Sequence, residues 1–279
     1  MGNRRIGRKR IESALKKLNA TTPDSTGSRS GLKGFDMPAF EIQPSKYYGI
    51  FDDFNTVSGV TDLAQDDDFL LAHAASGLCG ATWDVTAGGT GPAVTLDNAE
   101  IGGAVLLKAG SDDDSTALMY AVNNPFVLDA ANPRKIWWEA RLKLSDVDAS
   151  GFFVGLAGNG TDATVDTAIL AGTPSLADGI GWQIVDGQAA VTFASITAVG
   201  DVETVVQSAT SATDATYVLL QFYFDGSTAH FYINGELSHS SALTLPTDGT
   251  KICPHIEYIQ QTGDDDTLHV DYVRACMER

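Results

Sequence analysis

The sequence predicts an all-β protein, an antiparallel two-sheet sandwich over residues 47–279 behind an extended N-terminal arm that contains one short helix. Three observations lead there. Short apolar runs recur with turn signals at roughly 8–12 residue spacing, and no long helical period follows the arm. Asp-Gly and Asn-Gly pairs separate several of these runs, and such pairs supply the positive φ angles that tight hairpins need. Charge is segregated: residues 1–46 hold ten Lys/Arg and four Asp/Glu, a net of +6, while residues 47–279 hold eight and 32, a net of −24 within the −18 of the whole chain.

Residues 1–20 form a basic amphipathic arm. Ile11, Leu15 and Leu18 fall at helical spacing, whereas Arg8, Lys9, Lys16 and Lys17 lie largely elsewhere on the wheel. A helix this short is marginal alone, because nucleation is costly; it is expected to order against a partner. Residues 21–46 are rich in Thr, Ser, Pro and Gly, the composition of a flexible linker that buries too little surface to offset its ordering entropy. The first strand-like run, YYGIFDDFN, begins at Tyr47.

Within the body, KIWWEARLKL alternates cleanly. Ile136, Trp138, Ala140, Leu142 and Leu144 share a core face, and Trp137, Glu139, Arg141 and Lys143 share a face expected to be wet or lightly covered. GFFVGLAGN reads as a short buried strand, and GIGWQIVDGQAAVTFASI as two strands joined at Asp186-Gly187. The clearest region gives strands at Tyr217–Phe224 and Ala229–Ile233 linked through Asp225-Gly226, then Asn234-Gly235 turning toward Glu236–His239. TLHVDYVRAC supplies a last strand. Between Asp62 and Leu128, runs such as GAVLLKA and TALMYAV fit strands whose register the sequence leaves open.

Composition bounds the function. With 43% hydrophobic residues in 279, the chain can bury a full core as one large domain. No apolar run approaches the roughly 18 residues that span a bilayer, and no apolar stretch follows the basic start. A soluble protein without a secretion signal or membrane partner is expected. So negative a body repels nucleic acid, which leaves the arm as the only route to a polyanion. Cys79, Cys253 and Cys276 show no metal-type spacing; three buried thiols are the ordinary reading, and a Cys253–Cys276 bridge stays open. His73, His230, His239, His255 and His269 form no His-x-His or His-x-x-x-His pair and read as strand histidines.

At Phe231-Tyr232-Ile233-Asn234-Gly235 and Val270-Asp271-Tyr272-Val273 the chain resembles the concanavalin-A-like jelly-roll superfamily, which includes laminin-G-like domains and family-16-type glycosidases. The resemblance implies a jelly-roll sandwich in which the opening strand, at Phe51–Asn55, pairs beside the last. It also sets a test for catalysis, since the glycosidases carry Glu-x-Asp-x-Glu or Glu-x-Asp-x-x-Glu on one strand to hold two carboxyls about 5 Å apart. No Glu here begins that spacing, and Arg141 stands two residues after Glu139. No enzyme is expected, and the catalytic set is empty. No Gly-x-Ser-x-Gly elbow, Ser/His/Asp order or phosphate-binding glycine loop replaces it.

Candidate binding residues remain. Trp137, Trp182, Tyr223 and Tyr232 would stack on carbohydrate or, as the commoner use, fill core or subunit contacts. The acidic clusters Asp66–Asp68 and Asp112–Asp114 read as solvated loops; Asp264, Asp265 and Asp266, beside the last strand, are the set best placed for calcium, the one cofactor considered. Arg4, Arg5, Arg8, Lys9 and Arg10 suit either phosphate neutralisation or an acidic groove on another subunit, and the stripe of Ile11, Leu15 and Leu18 favours the groove. The MGNRRIGRKR start on an acidic β domain resembles virion structural proteins of tailed bacteriophages. That resemblance implies a head decoration or cement protein of a virion, with a tail-associated virion protein as the alternative, anchored by the arm to a major capsid protein or other virion subunits, and a homo-oligomer. Deleting residues 2–20 should then leave a folded domain that no longer joins particles. The rival expectation is a carbohydrate-binding module, with a degenerate glycosidase third.

Overall fold

The computed structural model describes residues 47–52, 69–70, 82–88, 93–96, 104–108, 115–121, 126–148, 150–158, 176–184, 192–200, 202–260 and 266–279. The arm and its residues Arg4 to Leu18, the linker, Cys79, His73, the Asp66–Asp68 and Asp112–Asp114 clusters, Asp186-Gly187, Asp264 and Asp265 lie outside the described residues. The strands are β1 Tyr47–Asp52, β2 Phe69–Leu70, β3 Thr82–Gly88, β4 Ala93–Leu96, β5 Val105–Lys108, β6 Ser115–Ala121, β7 Phe126–Leu128, β8 Ile136–Leu144 and β9 Ser150–Gly158. There follow β10 Gly179–Ile184, β11 Thr192–Val199, β12 Val202–Ser211, β13 Val218–Phe224, β14 Thr228–Ile233, β15 Glu236–Ala242, β16 Thr250–Gln260 and β17 Thr267–Glu278. Among the described residues there is no helix, hence none long and apolar enough to cross a membrane.

These strands make two antiparallel sheets. An eight-stranded sheet runs β15-β14-β13-β8-β17-β5-β4, with β1 also on β17; a nine-stranded sheet runs β12-β11-β10-β9-β16-β6-β3-β2, with β7 also on β16. The opening strand pairs with the final one, Tyr47 opposite Glu278 through Asp52 opposite Val273, as the superfamily resemblance implies. Between the sheets lies one core. Ile136, Trp138, Ala140, Leu142 and Leu144 all enter it, so the period of two in β8 is a real two-sided strand. Trp138 stacks on Phe222 at 5.4 Å and 9° within the eight-stranded sheet. Trp182 of the nine-stranded sheet meets Phe231 of the other edge-on at 5.3 Å, and its Nε1–H donates to the Gln221 carbonyl at 3.0 Å. That bond ties sheet to sheet, as a buried indole N–H requires.

The local signals act through specific groups. Asn234 and Gly235 have φ of 50° and 80° and join Ile233 to Glu236, the type I′ geometry their chemistry favours. Asp225 Oδ1 accepts the Ser227 and Thr228 amides, each at 2.8 Å, closing β13 onto β14. Pro254 sits inside β16, where a missing N–H would normally break a ladder. It is accommodated because β16 pairs with β7 up to Ile252 and with β6 only from His255, so on that side the proline falls in the gap.

Three expectations need correction. A two-residue turn at Asp186-Gly187 would place Gln183 opposite Ala190, whereas the register places it opposite Ala194. The two registers differ by four residues and both keep Trp182 inward, so the alternation of these strands fits either one. The Cys253–Cys276 bridge does not exist: both are buried cysteines outside any disulfide, one on β16 in the nine-stranded sheet and one on β17 in the other. Burial pushes the Cys253 thiol up to about 12, which makes it inert as a nucleophile. Finally, Glu139 is not wet; it is 4% exposed.

Candidate functional site

The outward face of the eight-stranded sheet collects three of the four aromatic residues that the sequence singles out, Trp137, Tyr223 and Tyr232. Register aligns Cys276, Trp137, Tyr223, His230 and Ser240 in one row across β17, β8, β13, β14 and β15. Trp137 stacks on Tyr223 at 5.1 Å and 27°, and Tyr223 on His230 at 5.8 Å and 18°. Face-to-face stacking between adjacent strands turns the ring planes toward one another, so the rings present edges to solvent. Sugar stacking needs an open ring face.

The next row is Arg274, Glu139, Gln221, Tyr232 and Leu237. Gln221 Nε2 donates to Glu139 Oε2 at 3.1 Å. Burial raises the Glu139 carboxyl above its ordinary value, against the lowering effects of the Gln221 bond and the Arg274 charge. Burial also raises Tyr272, helped by the charges of Glu139 and Asp271. Arg141 forms an ion pair with Asp271 while its guanidinium lies 3.9 Å over the Tyr217 ring, beside Lys143 at 4.7 Å. His230 bonds Ser240 at 2.8 Å. Much of this face is tied within itself, by the Gln221–Glu139 bond, the Arg141–Asp271 pair and the stacked row, while the buried Gln221 Oε1 has no hydrogen-bond partner.

The outward face of the nine-stranded sheet is different. One row reads Tyr120, His255, Gly155, Gly181 and Ile196, and the next reads Leu118, Glu257, Phe153, Gln183 and Ala194. The two facing glycines let β9 and β10 approach closely: a Cβ on Gly181 would lie 2.6 Å from the Val154 carbonyl oxygen and 2.7 Å from the Phe153 ring. Phe153 thus lies across Gly181, and Leu176 across Gly179 in the same way. With Ala157, Ile196, Ala198 and Ile259 they make a second buried apolar layer.

Polar groups sit in that layer. Gln183 is 0% and His255 1% exposed, and neither the amide oxygen and nitrogen of Gln183 nor the two ring nitrogens of His255 have a hydrogen-bond partner. His255 Nε2 is 3.7 Å from Glu257 Oε2, in ion-pair range but too long for a hydrogen bond. The Phe153 ring meets His255 edge-on at 5.7 Å, and Tyr120 lies over it at 6.4 Å. An unbonded buried polar side chain costs about 1–3 kcal/mol, so two on one face call for a physical explanation.

The sequence-derived site residues divide accordingly. Trp137 and Tyr223 meet, with Tyr232 one row away. Trp182 is corrected: it is fully buried and faces the inter-sheet core, because β10 points its even-numbered residues inward, so it cannot meet a sugar. Of the proposed calcium set only Asp266 is described; its Oδ1 accepts the Ser145 hydroxyl at 3.1 Å. Among the described residues no three His, Cys, Asp or Glu side chains converge as a metal would need. Gln183, His255 and Glu257 were missed by sequence reasoning. The available signal was a single amide in the otherwise apolar GIGWQI and the polar alternation in PHIEYI.

No catalytic pair assembles in what is described. The three successive outward positions of β10 are Gly179, Gly181 and Gln183, and Glu257 has His255 and Ile259 beside it along the strand and Leu118 and Phe153 across it. Glu139 has Gln221 and Arg274 across it.

No family model matches the chain, and no curated relative is detected by sequence. Solved structures do share its shape. The carbohydrate recognition domain of Emp47p superposes with a TM-score of 0.54 at 10% identity, covering 83% of this chain and 96% of that one. SCLam, a non-specific endo-β-1,3(4)-glucanase of family GH16, gives 0.55 at 12% identity, covering 89% and 95%. A protein of unknown function from Shewanella oneidensis MR-1 gives 0.51 at 10%, covering 100% and 97%. At such identities the likeness establishes the fold alone: the chain is an all-β sandwich of two antiparallel sheets, and its structural neighbours are concanavalin-A-like jelly-roll lectin and GH16 domains.

Proposed function

We propose that this protein is a carbohydrate-binding domain that does not hydrolyse its ligand, and that Gln183 and His255 on the nine-stranded sheet bond the ligand's hydroxyls. The observation that carries this is that neither side chain has a hydrogen-bond partner under near-complete burial. An amide and an imidazole each offer a donor and an acceptor, as does a sugar hydroxyl, so the match suits a neutral glycan. A protein of net charge −18 disfavours an anionic one. The fold supports the reading, since domains of this shape include one known as a carbohydrate recognition domain and one known as a glucanase. Hydrolysis is left out because either stereochemical course needs two carboxyls, roughly 5–5.5 or 6.5–9.5 Å apart, and neither Glu257 nor Glu139 has one as a strand or cross-strand neighbour.

The test is a glycan array probed with the full chain, with and without chelator, followed by Gln183→Leu. Wild type should retain a neutral glycan in both conditions, and the variant should lose at least about tenfold in affinity, the worth of one hydrogen bond to a buried group. The variant should also unfold at higher denaturant, by about 1–2 kcal/mol, because an unpaired amide has been removed. A blank array, or a variant that binds as wild type does, overturns the reading. Reducing ends released from a β-glucan would overturn its non-hydrolytic half.

Display on a virion through the basic arm is a separate proposal. It is supported by the charge segregation between residues 1–46 and 47–279, and the deletion of residues 2–20 tests it by particle co-sedimentation.

A further inference from the structure

We propose that His239 is an acid-sensitive clasp between the two sheets: when its ring takes up a proton it leaves the inter-sheet core, and the strand β15 opens with it. β15 ends the order of the eight-stranded sheet, and no large apolar side chain holds it there. Along Glu236–Ala242 the one long apolar side chain, Leu237, is 58% exposed, while only Ser241 is buried and His239 half-buried. Those two point inward. His239 lies opposite the core residue Phe231, and the two rings stack at 5.1 Å and 15°. Trp182 of the other sheet meets the imidazole edge-on at 6.4 Å. Across the gap, His239 Nε2 bonds the Ser195 hydroxyl of β11 at 2.5 Å, and Ser241 Oγ lies 3.5 Å from Thr197 Oγ1 on the same strand.

This setting suits only the neutral ring. His239 Nδ1 is buried and has no hydrogen-bond partner. A neutral imidazole can keep Nδ1 as a bare lone pair while its Nε2–H donates to Ser195; the imidazolium carries an N–H at both nitrogens. One donor of a charged group would then be buried without an acceptor, which costs more than an unbonded neutral atom.

No carboxylate offsets that cost among the described residues. β10, β11 and β13 carry no Asp, Glu, Lys, Arg or His. On β12, Glu203 pairs in register with Ala198 of the outward layer and turns its carboxylate onto the Leu176 amide. On β14, His230 lies on the outward face with Ser240 and Asp225. On β15 itself, Glu236 is exposed. Burial accordingly holds the His239 ring below the ordinary histidine value of 6.5. Above 6.5 the ring is neutral whether the strand is closed or open; as pH falls through the lower closed-state value, the open form binds the proton first and gains population. Opening would uncover Phe231 and Trp182, both fully buried when β15 is closed.

Hydrogen exchange of the full chain, read in peptides covering residues 236–242 and corrected for the intrinsic pH dependence of exchange, tests the proposal. In the wild type the opening equilibrium of β15 should rise severalfold between about pH 7.5 and about pH 5.5, toward the roughly tenfold that one unit below 6.5 allows, while β8 stays protected. An NMR titration should show the His239 imidazole protonating over the same interval. His239→Gln, uncharged and able to bond Ser195, should flatten the response, whereas His230→Gln, on the outward face of the neighbouring strand, should keep it. Exchange of β15 that ignores pH, opening that does not track the His239 titration, a His239→Gln response equal to wild type, or loss of the response in His230→Gln overturns the proposal. If His239→Gln does not fold, the wild-type titration and exchange decide by themselves. None of these outcomes bears on the glycan reading, whose two residues face away from the inter-sheet core.

Discussion

The two outward faces of this sandwich share strand geometry and differ in how they treat polar groups. On the eight-stranded sheet, Glu139 is held by Gln221, Arg141 by Asp271, and His230 by Ser240, while rings stack along a row. On the nine-stranded sheet, glycines bring β9 and β10 together, an apolar layer covers them, and Gln183 and His255 remain without partners. Charged and aromatic residues that look functional in a sequence can thus be the self-satisfied ones. The two buried amides differ in degree: Gln221 bonds Glu139 through Nε2 and leaves Oε1 unbonded, whereas Gln183 has no hydrogen bond at either atom.

The sharpest way to break the comparison is at the glycines. On Gly155 a Cβ would fall against the Ile180 carbonyl oxygen and 2.5 Å from Gly181 Cα. Gly155→Ala should therefore cost about 3 kcal/mol, because backbone rather than a flexible side chain must move. Gly158, whose Cβ would meet Asp178 at 3.6 Å, is the control; Gly158→Ala should be neutral or gain about 0.5 kcal/mol. Urea unfolding of both variants decides whether the close approach of β9 and β10 is obligatory.

The second test is pH. Since burial raises the Glu139 carboxyl above 4.5, the folded protein keeps that proton to higher pH than the unfolded chain. The group's contribution to stability is then greatest below 4.5 and declines as pH rises through the folded-state value. Wild type should lose more stability over that interval than Glu139→Gln, measured as the shift in unfolding midpoint with pH. Equal slopes would mean that Gln221 and Arg274 compensate fully for the burial of the charge.

The smallest effect concerns the aromatic row. A double-mutant cycle on Trp137→Leu and Tyr223→Leu should give a coupling of about 1 kcal/mol, the worth of a stacked cross-strand pair. Affinity for glycan should not change. Loss of binding in either single variant would move the site to the eight-stranded sheet and dissolve the contrast.

Much of the framework was legible in the sequence. The alternation in β8, the Asn234-Gly235 turn, the Asp225 turn and the pairing of the opening with the closing strand all follow from local chemistry or from the superfamily motifs. Asp186-Gly187 misled because a turn dipeptide reports a local preference, and the alternation of β10 and β11 fits either register. The site was less legible. Trp137 and Trp182 are alike as letters, yet one lies in an outward row and the other in the core, and the aromatic residue type gives no hint of which.

Taken by itself, the sequence determined strand periodicity, the tightest turns and the separation of charge between arm and body, because each depends on residues within a few positions of one another. Tertiary structure alone decided which face each strand offers to its own sheet and which buried polar groups go without hydrogen bonds. Those properties arise between residues far apart in the chain, such as His255 beside Gly155 or Glu203 against Leu176, where no local pattern can encode whether a neighbour has a bond to give.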